Sequence, residues 1–304
     1  MPLRAYRSEI LYVTGDPRVD GEESIQHFQD GLLLIDNETV VKAGAYADLA
    51  KELPKDITPV HFKNAIITPG FIDTHIHFPQ TDIIGAYGAQ LLDWLETYTY
   101  PVEAAFSDPE YARDTAHFFI RELLRNGATS AMVFATSHAD SVDAIFEAAL
   151  EKNMRLYSGK VLMDRVADKT LCDGADLGRA DTVSLIKKWR GKGRLGYAVT
   201  PRFALTSTSE QLKMAGEILR DHPDVFLQTH LSENHAEIEM AGKLFPDARD
   251  YLDIYERCGL VTDRSVFAHA LHLDDGAFKR IAKANAAISF CPSSNLFLGS
   301  GLFA

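Results

Sequence analysis

The chain has 304 residues, 46% of them hydrophobic and 24% charged, with a formal net charge of −12. That composition is ordinary for a globular protein with apolar material for a sizeable core, in one large domain or two. So acidic a balance argues against a phosphate backbone and against an anionic membrane surface, which excludes nucleic acid and membrane as expected partners.

Residues 1–66 read as short strands separated by turns, a small β-module. "SEILYVTG" is rich in β-branched and aromatic residues and stops at "GDP"; "DGLLLIDNETVVKAG" has the pattern of a hairpin turning at Asp36-Asn37. "YADLAKELP" is a brief helical or loop segment before "VHFKNAIITPG". The opening stretch "MPLRAYRSEILYVTGD" has no apolar centre of a signal peptide, and no window reaches membrane-spanning length. Cys172, Cys258 and Cys291 are far apart and form no CxxC pair or zinc-ribbon spacing. Reduced thiols in a soluble, cytoplasmic protein are the expectation.

From Ala65 the texture changes. β-rich runs, "AIITPGFIDTHIH", "ATSAMVFATSH", "RLYSGKVLMD", "RLGYAVTPRF", "VFLQTHLSEN", "SVFAHALHL" and "AAISFCPSSN", alternate with amphipathic stretches such as "YARDTAHFFIRELLRNG", "DAIFEAALEKN" and "TSEQLKMAGEILRDH". Asn126-Gly127 closes the first of these helices as a left-handed stop would. Strands alternating with helices predict parallel βαβ units and an α/β fold over residues 67–304. The runs number seven, whereas a (β/α)₈ barrel has eight strands, and the sequence stops at "GSGLFA" after the seventh. The count alone fits an open sheet or a barrel cut short.

The chemistry favours the barrel. His75 and His77 stand two apart in a strand and so project to one side, at the carboxyl end where barrel enzymes keep their active sites. His230 ends the run "VFLQTH" and His269 ends "SVFAH". Strand ends far apart in sequence converge at one mouth of a barrel, and converging imidazoles suit Zn²⁺ or another divalent transition metal. His138, just past the second strand, stands near that mouth; the remaining histidines lack such a setting. Glu233, three residues after His230, is placed as a general acid and base, against the plainer reading of a carboxylate at a helix start capped by Ser232 or Asn234. Arg202-Phe203, where some metal barrels carry a bridging lysine or glutamate, argues for one metal. That pair offers a guanidinium fork and an aromatic face for a flat ligand, and a structural ion pair is the competing role for Arg202.

With those residues in view, the sequence resembles the amidohydrolase superfamily, through "PGFIDTHIH", His230 and His269, and within it the guanine deaminase family. The narrower likeness rests on "HIHFPQ", "LLDWLETYTYPVEAAF", "VTPRF", "THLSEN" and "CPSSNLFLGSGLF", in that order. It implies a TIM-like (β/α)₈ barrel with an N-terminal β-sandwich module, here its first half. It also implies one zinc per chain, with ferrous iron as the alternative, held by His75, His77 and His230. Glu233 would shuttle the proton and His269 would orient the zinc-bound hydroxide. Gln80, Arg202 and Phe203 would hold the guanine ring, with Trp94 and Leu95 as apolar surroundings. The implied reaction is hydrolysis of guanine to xanthine and ammonia in purine catabolism, by a homodimer.

Family members have one further metal-site residue, an aspartate ending strand eight, and the sequence contains no such strand. A part of a longer protein, a truncated gene product and a barrel completed by a second chain are the three readings; the first is preferred because the preceding motifs are intact. The alternative functions are a deaminase of another flat heterocycle, such as a triazine or pterin, and a weakened homologue that acts as a binding module.

Overall fold

The apolar run that the sequence presents as a single strand, "AIITPGFIDTHIH", is divided at Thr68-Pro69-Gly70, which belong to neither strand. Pro69 has no N–H to give to a ladder and restricts Thr68 before it, so the pairing stops there. The computed structural model describes residues 3–88, 90–165 and 168–303. It consists of two units, Met1–Gly70 and Phe71–Ala304.

The first unit holds β1 (Arg4–Val13), α1 (Pro17–Asp20), β2 (Ile25–Asp36), β3 (Thr39–Ala45), α2 (Tyr46–Leu49) and β4 (Val60–Ile67). They form one four-stranded sheet in the order β3-β2-β1-β4. The β2–β3 hairpin turns where expected, with Asp36 paired to Thr39 and Asn37 at φ 54°. Asp16 caps α1 by accepting from the Arg18 N–H. Ala5, Leu32 and Leu34 form a buried cluster, packed by Leu49 and Leu53 from the segment after β3.

The second unit alternates strand and helix throughout. After β5 (Phe71–His77) come a 3₁₀ turn (Phe78–Ile83), α3 (Leu91–Trp94), a π-helical turn (Leu95–Thr99), α4 (Tyr100–Ala105) and α5 (Pro109–Arg125). Then follow β6 (Ala128–Phe134), α6 (Ala139–Glu151), and β7 (Arg155–Gly159), which resumes beyond Lys160 as β8 (Val161–Leu162). The rest is α7 (Ala175–Trp189), β9 (Leu195–Pro201), α8 (Ser209–Asp221), β10 (Phe226–Leu231), α9 (His235–Leu244), α10 (Tyr251–Glu256), β11 (Ser265–His269), α11 (Asp275–Lys283), β12 (Ala287–Ser289) and α12 (Pro292–Phe297). The sheet runs β12-β11-β10-β9-β7-β6-β5, with β8 beside β9, and the pairings along it are parallel. It is a nearly closed barrel of seven strands, of the type the sequence predicts.

Helix ends follow local chemistry. Asp108 and Thr208 cap α5 and α8 through their side chains, and Gly127, at φ 84°, ends the α5 turn and accepts the Phe71 N–H that starts β5. Parallel strands covered on both faces put Val133, Leu156, Val199, Leu227 and Phe267 wholly out of solvent. The two edge strands are different: Phe71 is 62% and Ile72 71% exposed at the start of β5, and Phe290 is 58% exposed just after β12. The two edges are linked where the hydroxyl of Thr74, midway along β5, lies 2.6 Å from that of Ser289, the last residue of β12.

Adjacent strands approach closely at Gly159, where a Cβ would stand 1.9 Å from the Ala198 carbonyl oxygen. A backbone atom in the middle of a sheet has nowhere to go. Gly159→Ala is therefore expected to cost about 1–3 kcal/mol or more, as overpacked cores do; an unchanged urea midpoint by circular dichroism would contradict this contact.

Candidate active site

Four imidazoles gather at the carboxyl ends of three strands. His75 and His77 close β5, His230 lies next to the last residue of β10, and His269 ends β11. The His75 ring centroid is 5.0 Å from that of His77, 4.8 Å from His230 and 5.3 Å from His269. Ligand atoms of His75, His230 and His269 lie within 4.8 Å of one another. Nε2 of His77 is 3.1 Å from Nε2 of His230. Beneath them Phe134, ending β6, stacks on His77 at 4.5 Å and touches His75 and His230 edgewise or tilted. The sequence reading passed over Phe134, whose only signal is an aromatic at a strand end.

The surroundings fix which nitrogens are free. His230 Nδ1 lies 2.7 Å from the Arg202 carbonyl oxygen, which can only accept, so its Nε2 carries the lone pair. His269 Nδ1 is likewise 2.7 Å from Asn295 Oδ1. Burial, then neighbouring imidazoles and Arg202, holds His75, His77 and His230 well below the usual imidazole range; burial also lowers His269. All four are neutral, the form in which imidazole binds a metal. Two ring nitrogens 3.1 Å apart match the edge, about 3.3 Å, of a tetrahedron of nitrogens about 2.0 Å from a zinc ion. His77 Nδ1 is buried and has no partner among the described residues. The donor set thus fits a soft-to-borderline divalent cation.

Glu233 faces the cluster. Ser232, at φ 50°, turns the chain sharply after β10, and the Glu233 side chain ends with Oε2 3.3 Å from His269 Nε2 and Oε1 3.4 Å from the Ser300 hydroxyl. Burial pushes its carboxyl up to about 7, with the Ser300 bond and Arg202 opposing. The helix-start reading belongs to its neighbour: Asn234 caps α9 and forms a capping box with Glu237. Glu237 Oε2 accepts the backbone N–H groups of both Glu233 and Asn234, and Tyr251 donates to Oε1. Glu237, Asn295 and Ser300 were not singled out in the sequence, although two of them lie within the quoted "CPSSNLFLGSGLF".

Arg202 follows β9, buried, and the plainer expectation holds for one end of it: its Nη1 donates to both oxygens of Glu103 at 2.8 and 2.7 Å. Arg202 and Phe203 nonetheless line the cleft, with Gln80 from the 3₁₀ turn and with Trp94 and Leu95 from α3 and the π turn. The Trp94 indole N–H is tied to the Ala86 carbonyl at 2.8 Å, which sets the ring against the cleft. His75, His77, His230, Glu233 and His269 line the same cleft of about 1060 Å³, which extends along the open side of the barrel past Phe71 and Phe290. His138 does not join them. Its Nδ1 lies 3.2 Å from the Thr136 hydroxyl, and burial, then the charge of Lys160, lowers its pKa. The three cysteines are free of disulfides, and Cys291 sits in the cleft wall with its thiol donating to the Ser289 carbonyl.

The chain spans about 70% of the length of similar proteins. The guanine deaminase of Escherichia coli K12 is 45% identical over 99% of this chain and 69% of its own length. The E. coli guanine deaminase structure superposes with a TM-score of 0.95 at 44% identity, over 99% of this chain and 70% of that one. Guanine deaminase from C. acetobutylicum, solved with guanine bound in its active site, reaches a TM-score of 0.87 at 27% identity, over 99% of this chain and 70% of that one. The model of the amidohydrolase family matches residues 66–304, the stretch that supplies the strand-end imidazoles, and the chain belongs to that family.

Proposed function

We propose that the protein is a guanine deaminase, replacing the amino group on C2 of guanine by oxygen to give xanthine and ammonia. The observation that carries this reading is the single cleft into which the imidazole cluster, the Glu233 carboxyl, Gln80 and Arg202-Phe203 all open. The likeness to a guanine deaminase solved with its purine bound supports it. We assign zinc as the metal and His75, His77 and His230 as its ligands. When bound there, such a cation lowers the pKa of water to near neutrality and makes hydroxide available.

The chain's own residues do the rest. Glu233, buried and with its carboxyl pushed up to about 7, exchanges protons readily near neutral pH. It takes the proton of the attacking water and delivers it to the ring nitrogen beside C2, so that charge drains from the carbon under attack. The new hydroxyl's proton then passes to the amino group, ammonia leaves with the bonding pair, and the C2 carbonyl forms. His269, its Nδ1 tied to Asn295, orients the water. Phe203 offers a face to the ring, while Trp94 and Leu95 form the apolar wall. Arg202 donates to the carbonyl at C6 and Gln80 reads the neighbouring edge with its amide. Adenine, with an amino group at C6, would leave those buried donors unpaired, and such sites reject the wrong partner strongly. A homodimer acting in the cytoplasm in purine catabolism completes the reading; among the described residues no helix is long and apolar enough to cross a membrane.

Incubating the complete protein with guanine tests the assignment directly: xanthine and ammonia are expected, and their absence eliminates it. Glu233→Gln should lower kcat by about 10²–10⁴-fold, the range for losing a positioned acid-base group, with KM little changed; steady-state absorbance assays check this. Metal analysis should find about one zinc per chain, and His230→Ala should purify with far less metal and melt earlier, because the site's ligands contribute folding free energy through the ion. Equal metal content in both proteins would remove His230 from the ligand set.

A further inference from the structure

The residue that holds Arg202 comes from outside the barrel strands. Glu103 lies on α4, is 0% exposed, and takes both its hydrogen bonds from the same guanidinium nitrogen, Nη1. Three residues earlier on that helix, and so on the same face, the Tyr100 ring centre lies 5.4 Å from the guanidinium carbon. Among the described residues no partner is found for Arg202 Nε or Nη2. A guanidinium is a rigid planar fork with five N–H donors, so fixing one end sets the direction of the other donors. The segment that carries Glu103 also carries Trp94 and Leu95 in the cleft wall. Its π turn falls just before Pro101, which has no N–H to offer the preceding turn.

We propose that Glu103 is a positioning residue for substrate choice: it holds Nη1 to the protein and thereby presents the remaining N–H edge of Arg202 to a ring carbonyl. This rests on the guanine reading above. Besides Glu103, the charge of Glu233 also acts on Arg202. A guanidinium released by Glu103 has that side chain to turn toward, since both line the same cleft. Preference for a 6-oxo purine is then a property of α4 as much as of β9.

The test uses Glu103→Gln, which keeps the shape and removes the charge, and Glu103→Asp, which keeps the charge and withdraws it by one methylene. Each is assayed with guanine as substrate and with 2-aminopurine, which has the 2-amino group and lacks the 6-oxo, as competing ligand. The expected result is a KM for guanine raised about 10- to 100-fold with kcat changed less, and an inhibition constant for 2-aminopurine within threefold of the wild type. Glu103→Asp covers the case in which the Gln variant does not fold. In combination with Arg202→Met, neither variant should lower kcat/KM for guanine further than Arg202→Met alone. Equal losses for both ligands, or additive losses in the double variants, overturn the proposal and leave Glu103 a stabilising ion pair. Wild-type turnover of guanine, measured first, separates that outcome from failure of the guanine reading itself.

Discussion

Crowding of uncharged imidazoles is the constraint on which the site depends. Four rings with neighbouring centroids 4.8 to 5.5 Å apart would repel one another if protonated, and burial prevents that by making the charged form expensive. Phe134 below and the barrel wall around supply the burial; the Arg202 carbonyl and Asn295 supply acceptors for the Nδ1 protons of His230 and His269. In those two rings the lone pair is left on Nε2. A cluster of this kind is poor in hydrogen bonds and rich in electron pairs, which is the opposite of what an ordinary core requires and what a cation centre does require.

The barrel makes the cluster with little local specialisation. His75 and His77 share a face because side chains alternate in a strand, and the parallel register of β10 and β11 sets His230 beside Ala268 and Leu231 beside His269. What is special lies at the strand ends and just after them. Ser232, His269 and Ala270 all have positive φ, a conformation costly for residues with a Cβ and held only when the surroundings over-determine it. At Ser232 the surroundings are visible: its carbonyl accepts from the Leu271 and His272 N–H groups, while Glu237 receives the next two N–H groups along the chain. The Glu233 carboxyl is held by the loop, and the loop is held by a buried carboxylate.

Much of this could be read in the sequence, for physical reasons that also mark where reading stops. Period-two spacing of His75 and His77, and the placement of His230 and His269 at the ends of apolar runs, are local patterns, and local patterns translate directly into direction. The partner of Arg202 is 99 residues away, and within its own segment Glu103 looks like any helical glutamate. The ion-pair reading of Arg202 is met by Glu103, and the residue also lines the cleft. The division of "AIITPGFIDTHIH" into β4 and β5 was hidden because hydrophobicity runs unbroken through it while pairing does not. Asn234 and Glu233 stand side by side, one a cap and the other a carboxyl facing the imidazole cluster, and composition alone gives no means of telling which is which.

Arg202 serves the site through two different parts of itself: its carbonyl accepts the His230 ring proton, and its guanidinium is set by Glu103. The two duties share a backbone, so under the proposed assignment a shift of the peptide at this point would disturb ion coordination and ligand selection together. Anyone redesigning the pocket for another heterocycle has more freedom in the layer of helix behind the arginine than at the arginine itself. Changes there can re-aim the fork while the imidazole stays where it was.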